Sequence, residues 1–282
     1  MKISGSILKI SKDFLISKNF QYETPRLDSH IQRFPKLPSE DNLATVELTT
    51  LHLHLEGSPV VEKYPSIKTN YSYQITVKNG QAVAAASSEY GLMYALESFR
   101  QMVELNGSLP GNNIEINDSP MYSWRGLMID TGRRFVPLST VKNLMDTMAA
   151  VKLNVLHLHA SDMCRFSVES KLYPNLTSSL SGIYGGFYTQ IDIQAMIEYA
   201  SNLGIRVVPE FDVPGHARNM RAIESEGVEF CRTNDPHDNQ LYNDPTGNTY
   251  KVVHDLLQEM SGLFVDEIFN IGCDETAVVD RC

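Results

Sequence analysis

Hydrophobic and polar positions follow two different rhythms along this chain. From Ile7 to about Asp118 they alternate in short runs, Ala44 to Leu55, Tyr71 to Lys78 and Gln81 to Ala86, which is the period of strands with one covered face. One stretch breaks the alternation. Between Ser88 and Glu104, Leu92, Tyr94, Leu96, Phe99, Met102 and Val103 fall largely on one side of a helix, as a helix laid over a sheet requires. Residues 1–120 are therefore expected to form a small α+β domain. The turn-forming pairs Asn106-Gly107, Pro110-Gly111 and Ser119-Pro120 lead to its end.

Beyond Ser123 the apolar runs become continuous and alternate with helical segments. Gly126 to Thr131, Asn154 to His159, Ile205 to Asp212 and Val265 to Ile271 read as strands, and Leu138 to Val151, Gln190 to Leu203 and Tyr250 to Leu263 as helices. Strand–helix repetition of this kind predicts a parallel sheet with strands buried on both faces. Helix starts at Ser139-Thr140 behind Pro137, at Thr189 three residues before Asp192, and at Thr246 ahead of Tyr250 agree with that phasing. The fold class is α/β, with residues 121–282 as a second domain. Long loops follow the second and third strands, at the carboxyl ends where parallel sheets place their sites.

Composition narrows the function. With 282 residues, 42% hydrophobic and 21% charged, the chain is ordinary globular material. A net charge of −10 argues against nucleic acid, whose phosphates call for a basic face. No apolar run approaches the ~18 residues of a membrane span, and the first residues do not have the pattern of a signal peptide. Cys164, Cys231, Cys273 and Cys282 lack zinc-site spacing, so no structural metal is expected and a disulfide stays open. Asn70, Asn106, Asn117 and Asn175 begin glycosylation sequons, which would suit a secreted chain.

The chemistry gathers at the ends of the predicted strands. Arg125 and Asp130 flank the first; His157, His159 and Asp162 close the second; Glu210, Asp212 and His216 close the third; Asp274 and Glu275 close the fourth. Neighbouring strand residues point to opposite faces, so Asp274 and Glu275 share a pocket only where the strand ends or bulges. Gly272 supplies that freedom. Two carboxylates held together raise the pKa of one, which could then serve as a general acid. Each residue also has a plainer reading: a solvated Asp-Glu turn, a structural ion pair for Arg125, a core histidine at His157. His157, His159, Asp162, Glu210 and His216 also make a possible divalent-cation set.

In order, the segments Arg125-Gly126-Leu127-Met128-Ile129-Asp130-Thr131, Asn154-Val155-Leu156-His157-Leu158-His159 with Asp162, Val208-Pro209-Glu210-Phe211-Asp212-Val213-Pro214-Gly215-His216, and Gly272-Cys273-Asp274-Glu275 resemble the successive motifs of the β-N-acetylhexosaminidases, family-20 glycoside hydrolases. The resemblance implies an N-terminal zincin-like α+β domain followed by a (β/α)₈ barrel. It also implies a retaining, substrate-assisted hydrolysis of terminal N-acetylhexosamine, an exception to the two-carboxylate rule. It assigns Glu275 as general acid and base, Asp274 as partner of the acetamido group, and Asp162 and His216 as a relay to the acid. Arg125 and His159 become sugar-binding residues, with no cofactor. Cys231 and Cys282 fall where relatives carry a disulfide, and the compartment implied is lysosomal or secreted.

Three departures accompany the resemblance. Cys273 stands where the family has a second glycine, and Leu158 and Met163 replace its usual Trp and Asp. The only tryptophan, Trp124, precedes the first strand. A barrel takes about 250 residues, whereas 282 − 120 leaves 162, enough for about four of eight strands. The expectation is a partial barrel with an open apolar edge, inviting homodimer formation, in an incomplete catalyst that binds glycans or retains turnover.

Overall fold

The computed structural model describes residues 1–38, 47–57, 62–178, 186–231 and 240–276. They fall into two compact units, Met1–Trp124 with Ser201–Gly204, and Arg125–Ala200 with Ile205–Cys282.

The first unit contains β1 (Lys2–Ser4), β2 (Leu8–Lys18), α1 (Pro25–Arg33), β3 (Glu47–Leu55), β4 (Tyr73–Lys78), β5 (Gln81–Ala86), α2 (Glu89–Met102), β6 (Ser108–Leu109) and β7 (Asn113–Asp118). The strands form one sheet in the order β1-β7-β4-β5-β3-β2-β6. Alternation decides its covered face: Tyr73, Ile75 and Val77 of β4 are buried while Gln74, Thr76 and Lys78 are not. Helix α2 lies on that face through Leu92, Leu96 and Phe99, and Ser88 caps it by accepting the Gly91 N–H. Helix α1 has no counterpart in the sequence reading, because Leu27 and Ile31 are its only large apolar residues and two positions define no period.

The second unit contains β8 (Gly126–Asp130), α3 (Leu138–Ala150), β9 (Val155–Asp162), β10 (Arg165–Phe166), α4 (Asn175–Ser178), α5 (Gln190–Ser201), β11 (Arg206–Phe211) and α6 (Asn248–Leu263). Strands β8, β9 and β11 pair in parallel with β9 central, and β10 folds back on the end of β9. Thr189 and Asp192 form a reciprocal capping box at α5. At α6 Gly247 occupies the N-cap position, and the first turn is held by Asp244, whose carboxylate accepts the N–H groups of Thr246, Asn248 and Thr249, with Thr246 Oγ1 also accepting the Asn248 N–H. The expected fourth strand, Val265 to Ile271, is reduced to a single parallel bridge between Asn270 and Glu210. Asp266 explains the difference. Its carboxylate is held by Arg206 at 2.7 and 2.8 Å and also accepts the Ile268 N–H, which turns the chain here, so only Asn270 and Ile271 run beside β11 through backbone hydrogen bonds to Pro209, Phe211 and Val213. An open apolar groove of about 1270 Å³ runs along α6, lined by Leu241, Tyr250, Val253, Leu257, Phe269 and Ile271.

One irregularity in this sheet positions the chemistry. Glu210 lies opposite His159, but the next residue, Phe211, lies opposite Ser161, so Ala160 is an extra residue in β9. In a regular strand residues three apart face opposite sides. The inserted residue reverses the parity and turns Asp162 onto the side of His159.

Candidate active site

The bulge places His159 Nε2 2.8 Å from Asp162 Oδ2. Asp162 is fully buried, and its charge is met from several directions. Arg133 reaches it at 2.9 Å while also gripping Asp130 at 2.7 Å, Met163 donates its N–H, and His216 Nδ1 lies 3.4 Å away. Burial alone would raise its pKa, but the hydrogen bonds of His159 and Met163, with the charges of His216 and Arg133, prevail and hold the carboxyl below its ordinary value. Arg133 escaped the sequence reading, although its spacing from Asp130, three residues, is that of a local ion pair.

A second cluster lies beneath. Glu210 accepts from His157 Nε2 at 2.5 Å and faces His159 Nδ1 at 3.1 Å, with the Asn270 amide 3.4 Å from His157. The two histidines lower Glu210 to about 2. Burial works against a charge on His159, yet Asp162 and Glu210 on either side raise it to about 10. His159 is thus a buried cation clamped between two carboxylates. His157, read as a core histidine or a ligand, is part of the same ladder.

His216 carries the connection outward. It sits in the loop after β11, past the cis Val213–Pro214 peptide, with a left-handed backbone at φ 52°. Its Nε2 stands 3.1 Å from Glu275 Oε2 and 3.8 Å from Asp274 Oδ2, so Asp162, His216 and Glu275 form one line. The ring is buried, whereas the Asp274 and Glu275 side chains are 63% and 76% exposed. None of these oxygens lies along a ring N–H, and both His216 nitrogens lack a hydrogen bond.

The turn that brings both acids to one histidine is built from left-handed residues: Gly272 at φ 66°, Cys273 at 71° and Glu275 at 50°. Asn270 Oδ1 accepts the Gly272 N–H at 2.9 Å and Asp212 Oδ1 accepts the Cys273 N–H at 3.2 Å. The position where Cys273 replaces the family's glycine therefore does require positive φ, a conformation that costs a β-carbon-bearing residue about 1 kcal/mol. Cys273→Gly is expected to recover up to that amount, read as a higher urea midpoint at unchanged m-value.

A raised carboxyl was expected within the Asp274-Glu275 pair; the group pushed up is Asp212. Burial, then the charge and hydrogen bond of Asp274, raise it to about 7. The folded chain keeps this proton up to about pH 7, whereas the unfolded chain releases it near 3.8. Stability from this group is complete below pH 3.8 and is lost as pH rises through 7. Asp212→Asn should abolish that decline; melting temperatures of both proteins from pH 4 to 8 will show it, and parallel slopes would contradict it.

Arg125 stands apart from these groups. It precedes β8, about 16 Å along the strand from Asp130 at ~3.3 Å per residue. Its Nε donates to the Lys152 carbonyl and its N–H to Asn154 Oδ1, both at 2.9 Å. Cys231 is buried beside Leu241, and Cys282 lies outside the described residues, as do Val278 and its neighbours. Cys164 and Cys273 are exposed thiols.

Residues 122–280 match the profile of "Glycosyl hydrolase family 20, catalytic domain". The chain belongs to glycosyl hydrolase family 20. It is 36% identical over 219 residues to the mouse (Mus musculus) "Beta-hexosaminidase subunit beta", covering 76% of this chain and 41% of that protein. It is also 36% identical over 208 residues to "Beta-hexosaminidase subunit A1" of Dictyostelium discoideum, covering 72% and 39%. The chain thus spans about two fifths of the length of these relatives. Among solved structures it resembles the Flavobacterium johnsoniae chitobiase at a TM-score of 0.78 and 26% identity, covering 99% of this chain and 44% of that one. Its mixed α/β fold is that of family-20 hydrolases. Among the described residues no helix is long and apolar enough to cross a membrane.

Proposed function

We propose that this family-20 chain carries the acid–base centre of a β-N-acetylhexosaminidase that removes terminal N-acetylhexosamine from the non-reducing ends of glycoconjugates. The observation that carries the reading is the line Asp162–His216–Glu275, with Glu275 Oε2 3.1 Å from the buried ring. In the first step the acetamido oxygen of the sugar attacks the anomeric carbon as the glycosidic C–O bond breaks, and Glu275 gives its proton to the departing oxygen. Asp274 receives the acetamido N–H and offsets the positive charge of the resulting oxazolinium ring. In the second step Glu275, now a carboxylate, takes a proton from water while that water's oxygen bonds to the anomeric carbon. The acetamido group is restored and configuration is retained. His216 orients the Glu275 carboxyl. The Arg133–Asp162 contact anchors the buried end of the line. We read the parallel sheet as the first part of a (β/α)₈ barrel, with a lumenal or extracellular site of action.

The test is release of 4-nitrophenolate from 4-nitrophenyl N-acetyl-β-glucosaminide by the 282-residue chain. Turnover supports the reading. A second reading rests on the exposure of Asp274 and Glu275, since acid–base and electrostatic catalysis work best in a water-excluded site. On that reading the chain binds N-acetylhexosamine glycans without cleaving them, and a folded chain that binds chitobiose with no release would establish it.

A further inference from the structure

We propose that Asp212, His216 and Asp274 form a binding site for a divalent transition-metal cation, zinc by its donor set, and that the bound cation blocks the acid–base centre. One ligand atom from each of the three residues lies within 4.8 Å of the others. A tetrahedral zinc ion with bonds of about 2.0–2.1 Å needs donors about 3.4 Å apart, and His216 Nε2 is already 3.8 Å from Asp274 Oδ2. The remaining closure falls to Asp274, whose exposed side chain already hydrogen-bonds Asp212, the third ligand. Two carboxylates and one imidazole, with the open side toward solvent, make the three-ligand arrangement that zinc completes with water.

The second observation is the histidine itself. His216 is more than nine-tenths buried, yet neither ring nitrogen has a hydrogen bond, which is costly for a buried polar group and leaves a lone pair available to a cation. In the neighbouring trio of His159, Asp162 and Asp212 one ligand atom of each also lies within 4.8 Å of the others. There, however, both nitrogens of His159 are already engaged, by Asp162 and by Glu210, and a cation would have to break both contacts.

The consequence for turnover rests on the function proposed above. Zinc on Asp274 and His216 removes the partner of the acetamido group and the support of Glu275 together, so it acts as an inhibitor competitive with substrate. It is not a cofactor, and chelators should leave the rate undiminished.

Titration of the chain with zinc chloride in a non-chelating buffer, followed by calorimetry, tests the site directly. One equivalent should bind, and Asp274→Asn and Asp212→Asn should each weaken binding at least ten-fold. Cys273→Ser, which removes the adjacent thiol, should leave the affinity unchanged. Asp274 is exposed, so its variant decides the matter even if Asp212→Asn does not fold. Absence of stoichiometric binding, or binding lost in Cys273→Ser and kept in Asp274→Asn, overturns the site. Hydrolysis without stoichiometric zinc removes the site and leaves the proposed function standing. Stoichiometric zinc lost in Asp274→Asn, in a chain that does not hydrolyse, supports the site and removes the function.

Discussion

Glu275→Gln is expected to lower kcat on an N-acetylglucosaminide with a sugar leaving group by about 10²–10⁴-fold, the usual contribution of a positioned general acid–base. That factor corresponds to about 3–5 kcal/mol of transition-state stabilisation at 1.36 kcal/mol per decade. The amide keeps the size and hydrogen-bonding atoms of the carboxyl but has no proton to give, so KM should change little. The loss should be smaller with a 4-nitrophenyl leaving group, which departs as a stable anion without protonation. Water addition still needs the base, so a rapid first turnover followed by a slow steady state should appear. Because the Glu275 side chain is 76% exposed, folding stability should stay within about 0.5 kcal/mol. Equal rates for variant and parent on both substrates would remove Glu275 from the mechanism.

Gly272→Ala should unfold the turn that carries Asp274 and Glu275 rather than adjust it. A β-carbon built on Gly272 would stand 2.0 Å from Asp212 Oδ1 and 2.4 Å from its Cγ, well inside contact distance. The backbone there is left-handed at φ 66°, which by itself costs an alanine about 1–2 kcal/mol. Asp212 cannot simply retreat, because its Oδ1 holds the Cys273 N–H and its own N–H is bonded to Ser161 Oγ at 3.0 Å. Together the strain and the lost hydrogen bond should destabilise the chain by roughly 2–3 kcal/mol and abolish any turnover. Urea denaturation measures the first and the chromogenic assay the second. A variant with parental stability and activity would mean that the close approach of Gly272 to Asp212 does not position the acids.

Much of this was legible in the order of residues. Periodicity located α2, β5 and the parallel strands β8, β9 and β11 with ends displaced by a residue or a few, because burial of an apolar face leaves a repeating signature. The motif residues likewise identified the family, since Asp274-Glu275 and Val208 to His216 stand in the chain as contiguous strings. The glycine replaced by Cys273 could be flagged from sequence, though only the backbone at φ 71° makes it a strained position.

What the chain alone determined is therefore its local order: which segments form strands and helices, and which contiguous motifs place it in family 20. Tertiary structure decided how those side chains meet. Ala160 as an inserted residue turns Asp162 toward His159, Arg133 closes over Asp130 and Asp162, and Asp212 takes the proton that sequence reasoning assigned within the Asp274-Glu275 pair. The reduction of the expected fourth strand to one bridge has the same origin, an ion pair between Arg206 and Asp266, 60 residues apart in the chain. Register shifts, desolvation and long-range ion pairs depend on distances between segments remote in sequence, and a one-dimensional pattern carries no record of those distances.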